Sequence, residues 1–147
     1  MSAHSSHCRL FPKTTVVSAM FTAADANRDT GNSAIMETYG LGGLAMAASP
    51  AVQKIVGAKS FADAVATSRA MSEICAGANA LFPLVPLNGE GTPTGIDIRK
   101  VARTGITPVI NTAIAHRSGA RMIGAGIATP PLQPFVDALV AFGEAHP

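Results

Sequence analysis

Residues 106–129, ITPVINTAIAHRSGARMIGAGIAT, contain two strand-like runs separated by a short polar segment. Successive side chains of a strand point to opposite faces. The first run therefore places Ile110, Thr112, Ile114 and His116 on one face, and Asn111, Ala113, Ala115 and Arg117 on the other. The second run, residues 121–129, is rich in small and branched apolar residues. Together the two runs predict a small sheet in the second half of the chain.

Helix signals precede this sheet. Ser33 is a candidate N-cap, Ser49 and Pro50 begin a second helix that Gly57 would end, and Ser60 with Asp63 fits a capping box. The third helix has an apolar stripe at three- and four-residue spacing, formed by Phe61, Ala64, Val65, Ser68, Met71 and Cys75, with Gly77 as its expected C′ residue. This pattern predicts a helical first half.

The remaining segments complete the predicted fold. GIDIRKVA, residues 95–102, alternates and is interpreted as a strand, whereas PPLQPFVDALVAFGEA is interpreted as a helix. The apolar face of that helix would contain Phe135, Ala138, Leu139 and Phe142. We therefore expect an α+β (mixed α/β) fold with a helical first half, a small sheet from the second half and a C-terminal helix.

Composition limits the organisation and the function classes. The 147 residues suit one domain at 22–147, after a poorly ordered N-terminal segment at 1–21. A net charge of +2 without a basic run disfavours nucleic-acid binding, and no apolar run is long enough to span a bilayer. Cys8 and Cys75 lack paired spacing, so we expect a reducing cytoplasm and no disulfide framework. HSSHC offers too few ligands for a metal site, and no metal or cofactor is expected.

Two polar clusters could bind a ligand. In INTAIAHR, His116 and Arg117 either bond nearby carbonyls as a strand-end pair or line a site, and the residues alone favour the first alternative. In GEGTPTGIDIR, Thr92, Thr94 and Arg99 either bind an anion or belong to a turn followed by an edge-strand ion pair, which is again favoured. The GLGG segment alone is weak evidence for phosphate binding.

Three phrases taken together resemble a known family. ADANRDTGNSAIMETYGLGGLAMAASPAV, GTPTGIDIRKVARTGITPVINTAIAHR and GAGIATPP are similar, in this order, to the YlbE-like family, which includes a subunit of oxamate carbamoyltransferase. Family members are much longer, and this chain resembles only their C-terminal part. It departs from the family pattern at Asn32, at Ala113 and in the segment SGARMIG.

The resemblance implies carbamoyl transfer between oxamate and carbamoyl phosphate in allantoin breakdown, within a multi-subunit or homo-oligomeric assembly. The chain is then expected to be inactive alone. The implied catalytic residues are His116, Arg117 and Arg99, and the implied substrate-binding residues are Glu37, Thr38, Gly40, Gly42, Gly43, Thr94, Asn111 and Thr112. Glycine amides and an arginine would stabilise developing negative charge, while His116 would move a proton. The alternative is a non-catalytic assembly or partner-binding module that retains the fold.

Overall fold

The computed structural model describes residues 14–17, 19–27, 31–56 and 60–146. The helices are α1 (Asn32–Thr38), α2 (Pro50–Val56), α3 (Phe61–Ile74), α4 (Ile98–Thr104) and α5 (Gln133–Ala145). The strands are β1 (Thr14–Val17), β2 (Cys75–Leu84), β3 (Glu90–Ile96), β4 (Ile110–Ala115) and β5 (Met122–Ala128). The predicted α+β class and the C-terminal helix are confirmed.

The main sheet is antiparallel, with strand order β1-β5-β4. Ile110 pairs with Ala128 and Ile114 with Gly124, and the register shifts between Ile114 and Ala115. The predicted alternation is confirmed over β4, because Ile110, Thr112 and Ile114 are buried while the intervening residues are more exposed. Thr14–Val17 carry no strand signal in the sequence, yet they form β1 and pair with β5 along four residues.

A second antiparallel pair, β2 with β3, corrects two predictions. Gly77 does not end α3: the helix ends at Ile74, and Gly77 lies in β2 opposite Thr94. The pairing of β2 with β3 satisfies backbone groups that a longer helix would otherwise have bonded within itself. The turn predicted within GEGTPTG is also wrong, since these residues form most of β3.

The predicted strand over GIDIRKVA is wrong beyond Ile96. The Asp97 carboxylate accepts the Arg99 backbone N–H at 2.9 Å and caps α4. Gly105, in the left-handed region at φ 70°, ends this helix, and Val101 is buried in the core. The Asp97 cap and the glycine at the C-terminal end therefore favour a helix here, although a few residues alternate as in a strand.

The predicted starts of α2 and α3 are confirmed, the start of α1 differs, and the predicted end of α2 at Gly57 lies outside the described residues. The helix at 50–56 and the Ser60 cap of α3, which accepts the Asp63 N–H, are confirmed. The N-cap of α1 is Gly31, not Ser33. Ser33 lies inside the helix, where its hydroxyl donates to Thr112 Oγ1 at 3.4 Å.

Two buried clusters form the core between the helices and the sheets. One contains Leu44, Met71, Ile74, Cys75 and Val101, and the other contains Met46, Val56, Ala64 and Ala125. The predicted α3 stripe is correct at Ala64, Ser68 and Met71 but not at Phe61, which is half-exposed. On α5, Phe135 packs against the core whereas Phe142 is exposed. None of the helices in the described ranges is long and apolar enough to cross a membrane.

Candidate functional site

The Glu37 carboxylate joins three parts of the structure. Its side chain is almost fully buried, and Oε1 accepts the Gly43 backbone N–H at 2.9 Å and the Asn111 backbone N–H at 3.0 Å. One carboxyl oxygen that accepts two backbone N–H groups links the segments that carry them. Glu37 therefore fixes α1, the following glycine loop and the start of β4 relative to one another.

The glycines at 40, 42 and 43 permit close packing around this carboxylate. A Cβ at Gly42, where φ is 62°, would lie 2.1 Å from Glu37 Oε1, and a Cβ at Gly43 would lie 2.0 Å from the Val109 carbonyl oxygen. A Cβ at Gly40 would lie 2.6 Å from Thr92 Oγ1. The N–H groups of Gly40 and Gly43 donate to the carbonyl and the carboxylate of Glu37, respectively. Two of the three predicted anion-binding amides are thus used inside the chain.

Threonines from β3 lie against the same loop. Thr94 donates its hydroxyl to the Thr38 carbonyl at 3.0 Å, and Thr38 donates its own hydroxyl to the Ile35 carbonyl at 2.6 Å. The structure therefore brings Glu37, Thr38, the glycine loop and Thr94 together at the start of β4.

Two buried side-chain oxygens lie in the same region. Within the described residues, Thr92 Oγ1 and Asn111 Oδ1 have no hydrogen-bond partner. The Asn111 amide nitrogen contacts Met46 Sδ at 3.7 Å, and Thr112 is buried on the opposite face of β4. The predicted substrate-binding side chains of β4 are thus turned into the protein.

A groove of about 410 Å³ runs between α1, the start of α4 and α5. Its walls are mainly apolar and include Ile98, Ile110 and Phe135, while Glu37 and Thr38 border it. No cation is among its lining residues, all of which lie in the described ranges. The groove therefore suits an apolar group better than an isolated anion.

Arg99 lies beside this groove but its charge is compensated. Nε and Nη2 donate to the two carboxylate oxygens of Asp97 at 3.0 and 2.7 Å. The side-chain hydrogen bonds from Arg99 hold the pKa of Asp97 well below its ordinary value, and the same contact raises the pKa of Arg99. The Arg99 side chain is 77% exposed, so it can be reached from solvent.

His116 and Arg117 lie at the opposite end of β4. At about 3.3 Å per residue, His116 is about 16 Å along the strand from Asn111, so the structure does not bring these two residues together. His116 Nδ1 lies 2.7 Å from Ser118 Oγ, and the Arg117 backbone N–H donates to the Asp25 carbonyl at 2.8 Å. The predicted site residues are thus divided between two ends of one strand.

Sequence reasoning missed Phe21 and Arg121 beside His116. The Phe21 ring is 5.7 Å from the imidazole, and the Arg121 guanidinium lies 5.5 Å from the centre of the same ring. The position of Arg121 opposite His116 could have been predicted by pairing the two strands within residues 106–129 as a hairpin. The contribution of Phe21 was not, because it is distant in sequence.

Metal ligation finds no support in the described part of the chain. No group of three or more His, Cys, Asp or Glu side chains that could hold an ion occurs there. The motif HSSHC lies outside the described residues.

The chain is 44% identical over 139 residues to the uncharacterised protein YahG of Escherichia coli K12, covering 92% of this chain and 29% of YahG. It is 45% identical over 126 residues to the oxamate carbamoyltransferase subunit AllG of the same organism, covering 85% of this chain and 30% of AllG. No protein-family model matches the chain.

A solved structure shares the fold. A conserved protein of unknown function from Enterococcus faecalis V583 is 47% identical, with a TM-score of 0.79, over 90% of this chain and 31% of that one. The chain thus spans about three tenths of the length of each of these proteins. The similarity to AllG confirms the predicted family resemblance. The location of the matched segment within the longer proteins stays a prediction.

Proposed function

Because the chain belongs to the same family as the oxamate carbamoyltransferase subunit AllG and YahG, we propose that it forms part of a carbamoyltransferase acting on oxamate and carbamoyl phosphate. The observation that carries this proposal is the 45% identity to AllG over most of the chain. The proposed setting is allantoin and purine breakdown in the cytoplasm, in an assembly with other protein subunits. The 147-residue chain is expected to be inactive alone.

The proposed reaction makes definite demands on the protein. The oxamate amide nitrogen attacks the carbamoyl carbon, a C–N bond forms, the C–O bond to phosphate breaks and the amide nitrogen loses a proton. Both substrates are anionic, so their binding needs cations and hydrogen-bond donors. A buried carboxylate such as Glu37 would repel them, which favours a positioning role for Glu37 over direct contact with an anion.

The proposed catalytic roles belong to the accessible side chains. Arg117 is exposed next to His116 and would stabilise negative charge on the carbonyl oxygen and departing phosphate, while His116 would transfer the proton. Arg99 is exposed at the opposite end of β4 and paired with Asp97, so it would serve only a substrate group bound at that end. At that end Glu37, Gly40, Gly42, Gly43, Asn111 and Thr112 would fix the loop and β4, and Thr38 and Thr94 would lie beside them.

Reconstitution with candidate partner chains tests the proposal. Phosphorolysis of carbamoyl-oxamate is followed by the appearance of carbamoyl phosphate, with and without this chain. We expect turnover that requires the chain and falls by about 10²-fold or more in His116→Ala, the lower range for general acid–base catalysis. His146→Ala, which changes an exposed histidine after α5, is the matched control. Unchanged turnover in His116→Ala would rule out the proton-transfer role.

A non-catalytic assembly module is the second candidate. It is favoured by the apolar groove between α1, α4 and α5, which has no cation among its lining residues. Stable co-purification with partner chains, together with turnover that does not depend on this chain, would favour the module over the enzyme.

A further inference from the structure

The turn between β4 and β5 gathers cationic and aromatic groups in a defined arrangement. The His116 backbone N–H donates to the Arg121 carbonyl at 2.8 Å, so these residues face each other across the hairpin. Side chains opposite one another in an antiparallel pair are close neighbours. Phe21 contacts both of them, with centroid distances of 5.7 Å to the imidazole and 5.5 Å to the guanidinium carbon.

The hydrogen bonds at this turn determine which imidazole nitrogen can donate. The Ser118 backbone N–H lies 3.2 Å from His116 Nδ1 and can only donate to it. Nδ1 is therefore an acceptor, and a neutral imidazole carries its proton on Nε2. This leaves Nε2–H as a donor for a ligand on the side of the hairpin that carries Arg121.

Within the described ranges, no salt bridge neutralises the arginines at this turn. Neither Arg117 nor Arg121 forms a salt bridge with another described residue, and both are exposed. The neighbouring carboxylate, Asp25, accepts the Thr22 backbone N–H and hydroxyl, each at 2.9 Å. These hydrogen bonds, and to a smaller extent the charges of Arg117 and His116, keep the pKa of Asp25 below its ordinary value of 3.8. Among the described residues of this turn, the two arginines and Asp25 together leave an excess of one positive charge.

We propose that Arg121 and His116 Nε2 form a binding site for a small oxyanion, with Phe21 holding the Arg121 guanidinium in place and Arg117 adding positive charge to the same turn. A carboxylate and a phosphate share the required chemistry, because both offer oxygens to guanidinium and imidazole N–H groups. The identity of the ligand as the anionic end of oxamate or of carbamoyl phosphate rests on the proposed function. Arg121 is then a specificity-determining residue that the family resemblance did not indicate.

NMR titration of the 147-residue chain tests the site directly. Inorganic phosphate and oxamate are added separately at constant ionic strength, with chloride as the reference anion, while the His116 ring signals are followed. We expect saturable shifts with at least one of the two anions, and the stronger binder identifies whether phosphate or carboxylate is preferred. Chloride is expected to produce no saturable shift.

Matched variants separate the site from general charge effects. Arg121→Gln should weaken the binding about tenfold or more, since hydrogen bonds to charged groups have roughly this effect. Phe21→Leu should weaken it less, and Arg103→Gln, at an exposed position in α4, should leave it unchanged. The absence of a saturable shift with either anion would overturn the inference, as would equal binding by Arg121→Gln.

Measurements of binding and of turnover can refute the anion site and the proposed function separately. Saturable binding that is lost in Arg121→Gln, without turnover in any reconstituted assembly, would support the anion site and contradict the proposed function. Turnover with the same KM in Arg121→Gln would support the function and contradict this site.

Discussion

Replacing Glu37 should show how strongly one buried carboxylate stabilises the fold. In Glu37→Ala the backbone N–H groups of Gly43 and Asn111 lose their acceptor. An unsatisfied buried donor costs about 1–3 kcal/mol, so two of them predict a loss of roughly 2–6 kcal/mol in the free energy of unfolding. Since a small domain is stable by only about 5–15 kcal/mol, this loss would leave a visible unfolded population in some conditions.

Glu37→Gln separates the charge from the hydrogen bonds. The amide oxygen of glutamine can still accept both N–H groups, so the expected loss is smaller, about 1–2 kcal/mol, from the weaker neutral hydrogen bonds. Urea unfolding at neutral pH, followed by circular dichroism, measures both variants. Glu73→Ala, at an exposed position on α3, is the control and should change stability by less than about 0.5 kcal/mol.

A double-mutant cycle with Gly42 tests the geometry. Gly42→Ala places a Cβ 2.1 Å from Glu37 Oε1, whereas in the Glu37→Ala background only the strain of φ 62° remains. The cost of Gly42→Ala should therefore be lower in that background, with a coupling of about 0.5–3 kcal/mol. Additive costs, or a loss below about 1 kcal/mol in Glu37→Ala, would refute this account of Glu37.

Two further predictions concern pH and reactivity. The pKa of Asp97 is depressed, so its contribution to stability is present above its unfolded value of 3.8 and is lost as pH falls through the lower folded value. The urea midpoint of unfolding should therefore fall less between pH 5 and pH 2 in Asp97→Asn than in the unchanged protein. The control Asp137→Asn should show the full fall. A full fall in Asp97→Asn would contradict the pairing of Asp97 with Arg99. Burial raises the pKa of the Cys75 thiol to about 11, so in a Cys8→Ser variant it should react with a thiol reagent at pH 8 only on unfolding. The contribution of the Cys75 thiol to stability is full below pH 9 and is lost as pH rises through 11. A Cys75→Ala variant should lack this pH-dependent part of the stability. Rapid modification of the native protein by the thiol reagent would contradict the burial of Cys75.

The β4–β5 hairpin of the main sheet was predictable from sequence because its pattern is local, whereas β1 was not predicted. β4 alternates buried and exposed residues, and β5 follows after a short turn. At Asp97 the same reasoning failed, because Ile96 and Ile98 suggested alternation while the Asp97 cap and the burial of Val101 favour a helix. Gly77 was misassigned because its extended conformation depends on pairing with Thr94 of β3. The sequence immediately around Gly77 does not indicate this distant partner.

The candidate site was less predictable because it depends on distant contacts. The glycines of the 40–43 loop indicated a close approach, but only the fold shows that the approaching group is the Glu37 carboxylate. Glu37 and Asn111 are 74 positions apart, and no local pattern joins them. The separation of His116 from Asn111 followed from strand geometry alone and could have been predicted.

The outer side of β4 has a consequence for association between molecules. An edge strand with free backbone groups can pair with a strand of another chain and start aggregation. Here the Asn111 N–H is taken by Glu37, the Ala115 carbonyl accepts the Asn27 N–H, and the Arg117 N–H donates to Asp25. The Glu37 carboxylate thus occupies one end of the unpaired edge of β4, and the segment with Asp25 and Asn27 occupies the other end. Strand addition along β4 is thereby disfavoured, and a partner chain would have to dock through side chains.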